Sequence, residues 1–278
     1  MAERAKHTAF TDSELIRLMA RLAGGQAKAL VGAQPPAFST QLSQWLGWTD
    51  AVALASALDG SAAVGTPLQG DAAAELLEEG LRVRAALAKA LATPGAGSAD
   101  PGRWPVKPRA GARLGGALEE DPTDFATHRR RVHAQQQAME TAVSGLRARL
   151  RAALAAASPQ HAKLAAVDAV MEQALLPQVQ RLTSAVVVLL DRRFRALQAG
   201  ADGVAKRGVN QRPSPLGTPS PLARDGKQPA PAWLEAFRQD LEAVLLAELD
   251  FRFQPIEGLM AALRSTLLAT PEAALETT

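Results

Sequence analysis

DPTDFATHRRRVHAQQQAMETAVSGLRARLRAALAAASPQ, residues 121–160, places an apolar side chain at every seventh position. Phe125, Val132, Met139, Leu146 and Ala153 make one row, and Val143, Leu150 and Ala157 make a second. Seven residues are close to two helical turns, so both rows fall on one face of an α-helix, as in coiled-coil-like packing. The entry to this helix is predicted at Asp121 as cap, with Pro122 at the first helical position and Asp124 in the first turn. Ser158-Pro159 is both a stop and a fresh start, because Ser caps and Pro suits a first turn. A second helix is expected from about Gln160 to Gln198, kinked at Pro177. Residues 122–198 therefore read as a long antiparallel αα-hairpin.

Within the second helix stands AVVVLL, Ala185–Leu190. Its β-branched content would suit a buried strand, but no Gly or Pro brackets it and helical patterning continues on both sides. As a helix, successive residues turn by about 100°, so the run is apolar on every face. One hairpin partner cannot cover all of them. Val186, Val187, Val188, Leu189 and Leu190 are thus candidate partner-binding residues, to be covered by another part of the chain or by another subunit.

Toward the N-terminus, Thr11-Asp12-Ser13-Glu14 has capping-box spacing, with Thr11 as the expected cap and Phe10 and Leu15 as a staple. Leu15, Leu18, Met19 and Leu22 follow at helical spacing, ended by Gly24-Gly25. Further helices are predicted from Phe38 to Trp48, from a Thr49 cap through Val52, Leu54 and Leu58 to Asp59-Gly60, and from Asp71 to about Leu91. Residues 8–92 are expected to form a small helical domain. Trp45 and Trp48 belong to its core or to a surface hot spot, where Trp is enriched.

Residues 93–121 are rich in Pro and Gly and read as a linker. Residues 199–230, with PSPL twice, read as a disordered linker of polyproline II character. Residues 231–278 form an acidic C-terminal segment, with one helix from Trp233 to Leu249, a break near Pro255, and another through Leu259, Leu263 and Leu267.

Composition supports an all-α fold. Hydrophobic residues are 47% of the 278, much of that alanine, and aromatics only 4%, which favours long helices with thin interfaces. With no Cys, disulfides, thiolate chemistry and Cys-based zinc sites are excluded. MAERAKHTAF at the start lacks an apolar core, so no secretory signal is expected, and no run reaches the ~20 residues of a spanning helix. The expected compartment is the cytoplasm.

The formal charge of +3 hides a split: residues 122–198 carry net +6 and residues 231–278 net −5. The two are expected to attract each other within one chain. Arg129, Arg130 and Arg131, with Arg147/Arg149/Arg151 and Arg192/Arg193/Arg195, are the residues a nucleic acid would use. Positions 147, 149 and 151 step by ~200°, however, and form no single stripe. Glu75, Glu78 and Glu79 read as a solvated face, and Asp124 with His128 as an exposed charge pair at a helix start. No metal, nucleotide or triad motif is present, so no cofactor, metal or catalytic residue is expected, and the chain reads as non-enzymatic.

TDSELIRLMARL (Thr11–Leu22), LSQWLGWTDAVALASAL (Leu42–Leu58) and PAWLEAFRQDLEAVLLAELDFRFQPIEGL (Pro231–Leu259) resemble a proteobacterial family, domain of unknown function 3348. The resemblance implies no activity and no catalytic residue. It implies an accessory role, with peripheral contact to an inner-membrane or envelope assembly. The function expected is that of a helical interaction or scaffold protein, binding a protein partner or itself, with nucleic-acid association as the alternative.

Overall fold

A computed structural model describes residues 13–23, 45–60, 70–92, 121–209 and 231–269. These residues form six helices and no strand: α1 (Glu14–Leu22), α2 (Trp48–Asp59), α3 (Gly70–Ala92), α4 (Phe125–Ala157), α5 (Pro159–Val209) and α6 (Ala232–Ala269).

The seven-residue rows of α4 point inward. Val132, Met139, Leu146 and Ala153 are buried, as are Val143 and Leu150 of the second row. Ser158 caps the next helix as its position suggested. Its hydroxyl accepts from the His161 N–H at 3.3 Å, and Pro159 is the first residue of α5. Side-chain pairs fix the directions of the helices. Gln136 with Glu248 and Glu140 with Arg252 are both 112 residues apart, so α4 and α6 run parallel in constant register. Gln136 also reaches the Thr183 carbonyl while Arg147 reaches Asp168, so α5 runs antiparallel to α4. Arg149 bonds Glu79 and Arg131 bonds the Leu91 carbonyl, so α3 is antiparallel as well. The α4–α6 pair is thus flanked by α3 and α5, and α1 lies against α6 and α5.

One core runs through this assembly. It takes Leu15 and Leu18 from α1, Leu77 and Leu91 from α3, the α4 rows, Val186 and Leu190 from α5, and thirteen apolar positions from Leu234 to Leu263 on α6 that include Phe237, Phe253 and Ile256. At its end an aromatic cluster joins three helices: Phe194 of α5 lies edge-on to Trp233 and Phe237 of α6, with centroids 5.2 and 5.0 Å away, and Phe125 of α4 is 5.6 Å from it. Such pairs contribute about 0.5–1.5 kcal/mol beyond their area.

Glu248, fully buried, sets the register polar-side. It accepts from Gln136 Nε2 at 2.9 Å and from Arg252 Nε and Nη2 at 3.1 and 2.9 Å, and Arg252 continues to Glu140. Gln136 also donates to the Thr183 carbonyl at 3.2 Å, so the network spans α4, α5 and α6. A buried ion pair contributes little net stability, but sliding any helix by one residue would leave a charge unsatisfied.

The sequence and the structure part at several points. The cap of α1 is Ser13, whose hydroxyl accepts from Ile16 N at 3.4 Å; Thr11 lies outside the described residues. Helix α4 begins at Phe125, because Asp121–Asp124 form a turn in which Asp121 accepts from the Thr123 amide and hydroxyl, leaving Asp124 to cap through Ala126 N at 2.9 Å. Gly47, not Thr49, precedes α2, and Asp50 accepts from its N–H at 3.0 Å.

Helix α5 continues to Val209, past the end at residue 198 and into the span read as linker. No break occurs at Pro255, which sits inside α6. An interior proline costs a helix about 3 kcal/mol. Phe251, Phe253, Ile256 and Leu259 are all buried beside it, and each such burial returns about 1.5–3 kcal/mol. The helix from Phe38 up to residue 44, most of residues 93–121, residues 210–230 and residues 270–278 lie outside the described residues.

A candidate partner-binding surface

Helix α2, WTDAVALASALD, contributes no buried residue. Its outer face follows from helical geometry. At 100° per residue Trp48, Val52 and Ala55 share a sector about 60° wide with Leu58 beside it, while Leu54 and Ala57 lie on the far side. Leu54 and Ala57 are half-buried and α2 packs on α5, whereas Trp48 is 83%, Val52 47% and Leu58 52% exposed. Val52 and Leu58, apolar positions of the helix read from the sequence, therefore face outward. Trp45 is half-buried. Asp50 and Asp59 stand at the two ends of α2, which has no basic residue. At 100° per residue Asp59 falls in the same sector as Trp48 and Val52, whereas Asp50 lies on the far side and accepts from the Gly47 N–H, so the result is an apolar helix face with one acidic end.

The valine belt is helical and lies mostly inside the chain. Val186, Leu189 and Leu190 are buried, Val187 is half-buried, and Val188 is 53% exposed. The cover that the sequence demanded is supplied largely by the chain's own helices, so two of the five positions reach the surface. Val187 and Val188 share a groove with Phe125, Arg129, Asp191 and Arg195, which brings two candidate arginines beside the belt.

The arginines of the hairpin are mostly engaged within the chain. Arg147 holds Asp168 through two bonds of 2.8 and 2.6 Å and Glu172 at 3.2 Å, and Arg151 pairs with Glu172 at 2.5 Å. Arg149 faces the other way and grips Glu79 of α3 at 2.6 and 2.7 Å, as the ~200° step required. Arg193 reaches Asp240 of the acidic segment at 2.7 Å, and Arg195 reaches Asp191 at 2.9 Å. Of the triplet, Arg129 and Arg130 are exposed, while Arg131 is half-buried and donates to the Leu91 carbonyl at 3.3 Å. Burial lowers the Arg131 pKa from its ordinary value.

His128 is not an exposed partner of Asp124. It is 7% exposed, 5.0 Å from the Phe237 ring and 5.6 Å from Phe194, with Nε2 2.8 Å from the Pro122 carbonyl. Burial, assisted by the nearby Arg238 and Arg131, pushes its pKa below the ordinary histidine value against the opposing pull of the Pro122 carbonyl and Asp124. The sequence signal was available: position 128 lies between the inward residues 125 and 132 on the same face. Among the described residues no group of three His, Asp or Glu side chains is placed to hold a metal, and no helix is long and apolar enough to cross a membrane.

Fold and surface together define an all-α protein built on a parallel pair of long helices with antiparallel flanks. The chain belongs to the family described as protein of unknown function (DUF3348), whose model matches residues 1–265. No curated protein and no solved structure matches it.

Proposed function

We propose that this chain is a non-enzymatic helical interaction or scaffold protein of the cytoplasm, which docks a protein partner on the outward face of α2. The observation that carries the reading is a helix whose Trp48, Val52 and Leu58 face outward while no residue of it is buried. Covering a large apolar side chain contributes about 1.5–3 kcal/mol, and Trp is the residue most often found at the centre of a binding hot spot. Asp59, in the same sector as Trp48 and Val52, favours a partner helix with an apolar stripe and a basic residue at one end. A place beside an inner-membrane or envelope assembly rests on the family resemblance.

Native co-purification of the full chain, with and without Trp48→Asp, tests this. A stoichiometric partner retained by the wild type and lost by the variant is expected. An unchanged set of co-purifying proteins would refute the role of α2. Nucleic-acid association is the weaker reading, because five hairpin arginines already pair with carboxylates of the chain. Arg129→Ala with Arg130→Ala should leave retention on DNA or RNA and its salt dependence unchanged.

A further inference from the structure

Away from α2, a cleft of about 500 Å3 opens between α4, α5 and α6. Its apolar wall is made by Val143, Met171, Leu175, Leu176 and Val179, and its size lies within the range of small-molecule sites. Gln137, Gln180 and Gln254 place amides around the mouth, with the imidazole of His133 among them. Four charged side chains reach the cleft, and each is in an ion pair. Glu140 is paired with Arg252, which also holds Glu248, and Glu172 is paired with Arg147, which also holds Asp168.

This pairing decides the ligand class. A charged ligand would have to break one of these pairs or enter an apolar cleft without a counter-ion, and either costs far more than an amide hydrogen bond returns. An uncharged molecule breaks no ion pair and desolvates no charge on entry, and gains the apolar wall. The geometry points to a binding site for an uncharged amphiphile, with its apolar body against Val143, Leu175 and Leu176 and its polar end among the glutamines. The inference is independent of the role proposed for α2.

Nile red, an uncharged fluorophore, reports the site in the full chain. Saturable binding of one dye per chain is expected, displaced by 1-decanol at a concentration at least tenfold below that needed with decanoate or decylamine. Ser144 and Gln180 line the cleft and are exposed, so Ser144→Trp and Gln180→Trp fill it without disturbing the core. Each should weaken dye binding at least tenfold, while Trp48→Ala leaves it unchanged. Non-saturating binding, equal displacement by the charged amphiphiles, or filling variants that bind as the wild type does would each overturn the proposal. Loss of binding in Trp48→Ala would also overturn it, by assigning the dye to α2. The wild-type stoichiometry and the displacement series decide the matter even if a filling variant fails to fold.

Discussion

At the scale of single residues, two buried polar groups carry testable consequences. Glu248 has no exposure and takes bonds from two side chains, one of them Arg252, which is itself almost fully buried. Glu248→Ala leaves Arg252 with Glu140 as its acidic partner, and breaking a buried pair costs about 3 kcal/mol. Urea unfolding should show a loss of that size, and most of it should return when Arg252→Met is combined with Glu248→Met. His128 sets a pH dependence. Its folded-state pKa is lowered by burial from the ordinary 6.5, so between the two values the unfolded chain binds more protons. Stability contributed by the neutral ring is present above about pH 6.5 and is lost as pH falls through the folded value. The difference in unfolding midpoint between wild type and His128→Phe should therefore shift against the wild type on acidification; a constant difference from pH 7 to 5 would count against a buried neutral ring. Glu248 did not announce itself in the sequence, and His128 did so only weakly. A histidine at a helix start is commonly solvated, and only its place between Phe125 and Val132 on the inward face argued otherwise.

At the scale of elements, apolar periodicity was a dependable guide wherever packing follows one face. The rows of α4, the Ser158-Pro159 junction and the stripe Leu15, Leu18 of α1 could be read directly because one residue type at one spacing decides each. Helix ends were less legible. Asp121 and Asp124 both make plausible caps, and the bond from the Thr123 amide and hydroxyl to Asp121 settles which is free to cap. Pro255 misled because propensity is local, whereas the burial that overrides it comes from α1, α3, α4 and α5. Packing also explains Gly80 of α3. A Cβ there would stand 2.8 Å from Met260 Sδ of α6, so the glycine lets the two helices approach. Gly80→Val should destabilise the chain by about 1–3 kcal/mol, the usual cost of overpacking, as measured by thermal or urea unfolding. Helix α2 is the opposite case. With nothing buried, its amides should exchange with solvent far faster than those of α6, and equal protection would show that α2 is held by more than the contact with α5.

At the scale of the whole molecule, charge and apolar surface are spent differently. The basic hairpin and acidic tail do meet, Arg193 to Asp240, and further arginines are taken up by α3, α5 and α6, which removes much of the apparent basic surface. The valine belt is likewise absorbed, apart from Val187 and Val188. Of the seven large apolar side chains exposed among the described residues, three, Trp48, Val52 and Leu58, lie on α2, and that could not be inferred from the sequence because WTDAVALASAL has the composition of a core helix. Whether it is covered depends on tertiary placement, not on pattern. The claim that α2 is a docking surface can be tested at its own position. A photoreactive benzophenone side chain introduced at Val52 of the full chain should, on irradiation in cells, give one discrete adduct with a second protein, and Trp48→Asp should abolish it. No adduct, an adduct confined to the same chain, or one that persists with Trp48→Asp would contradict the account.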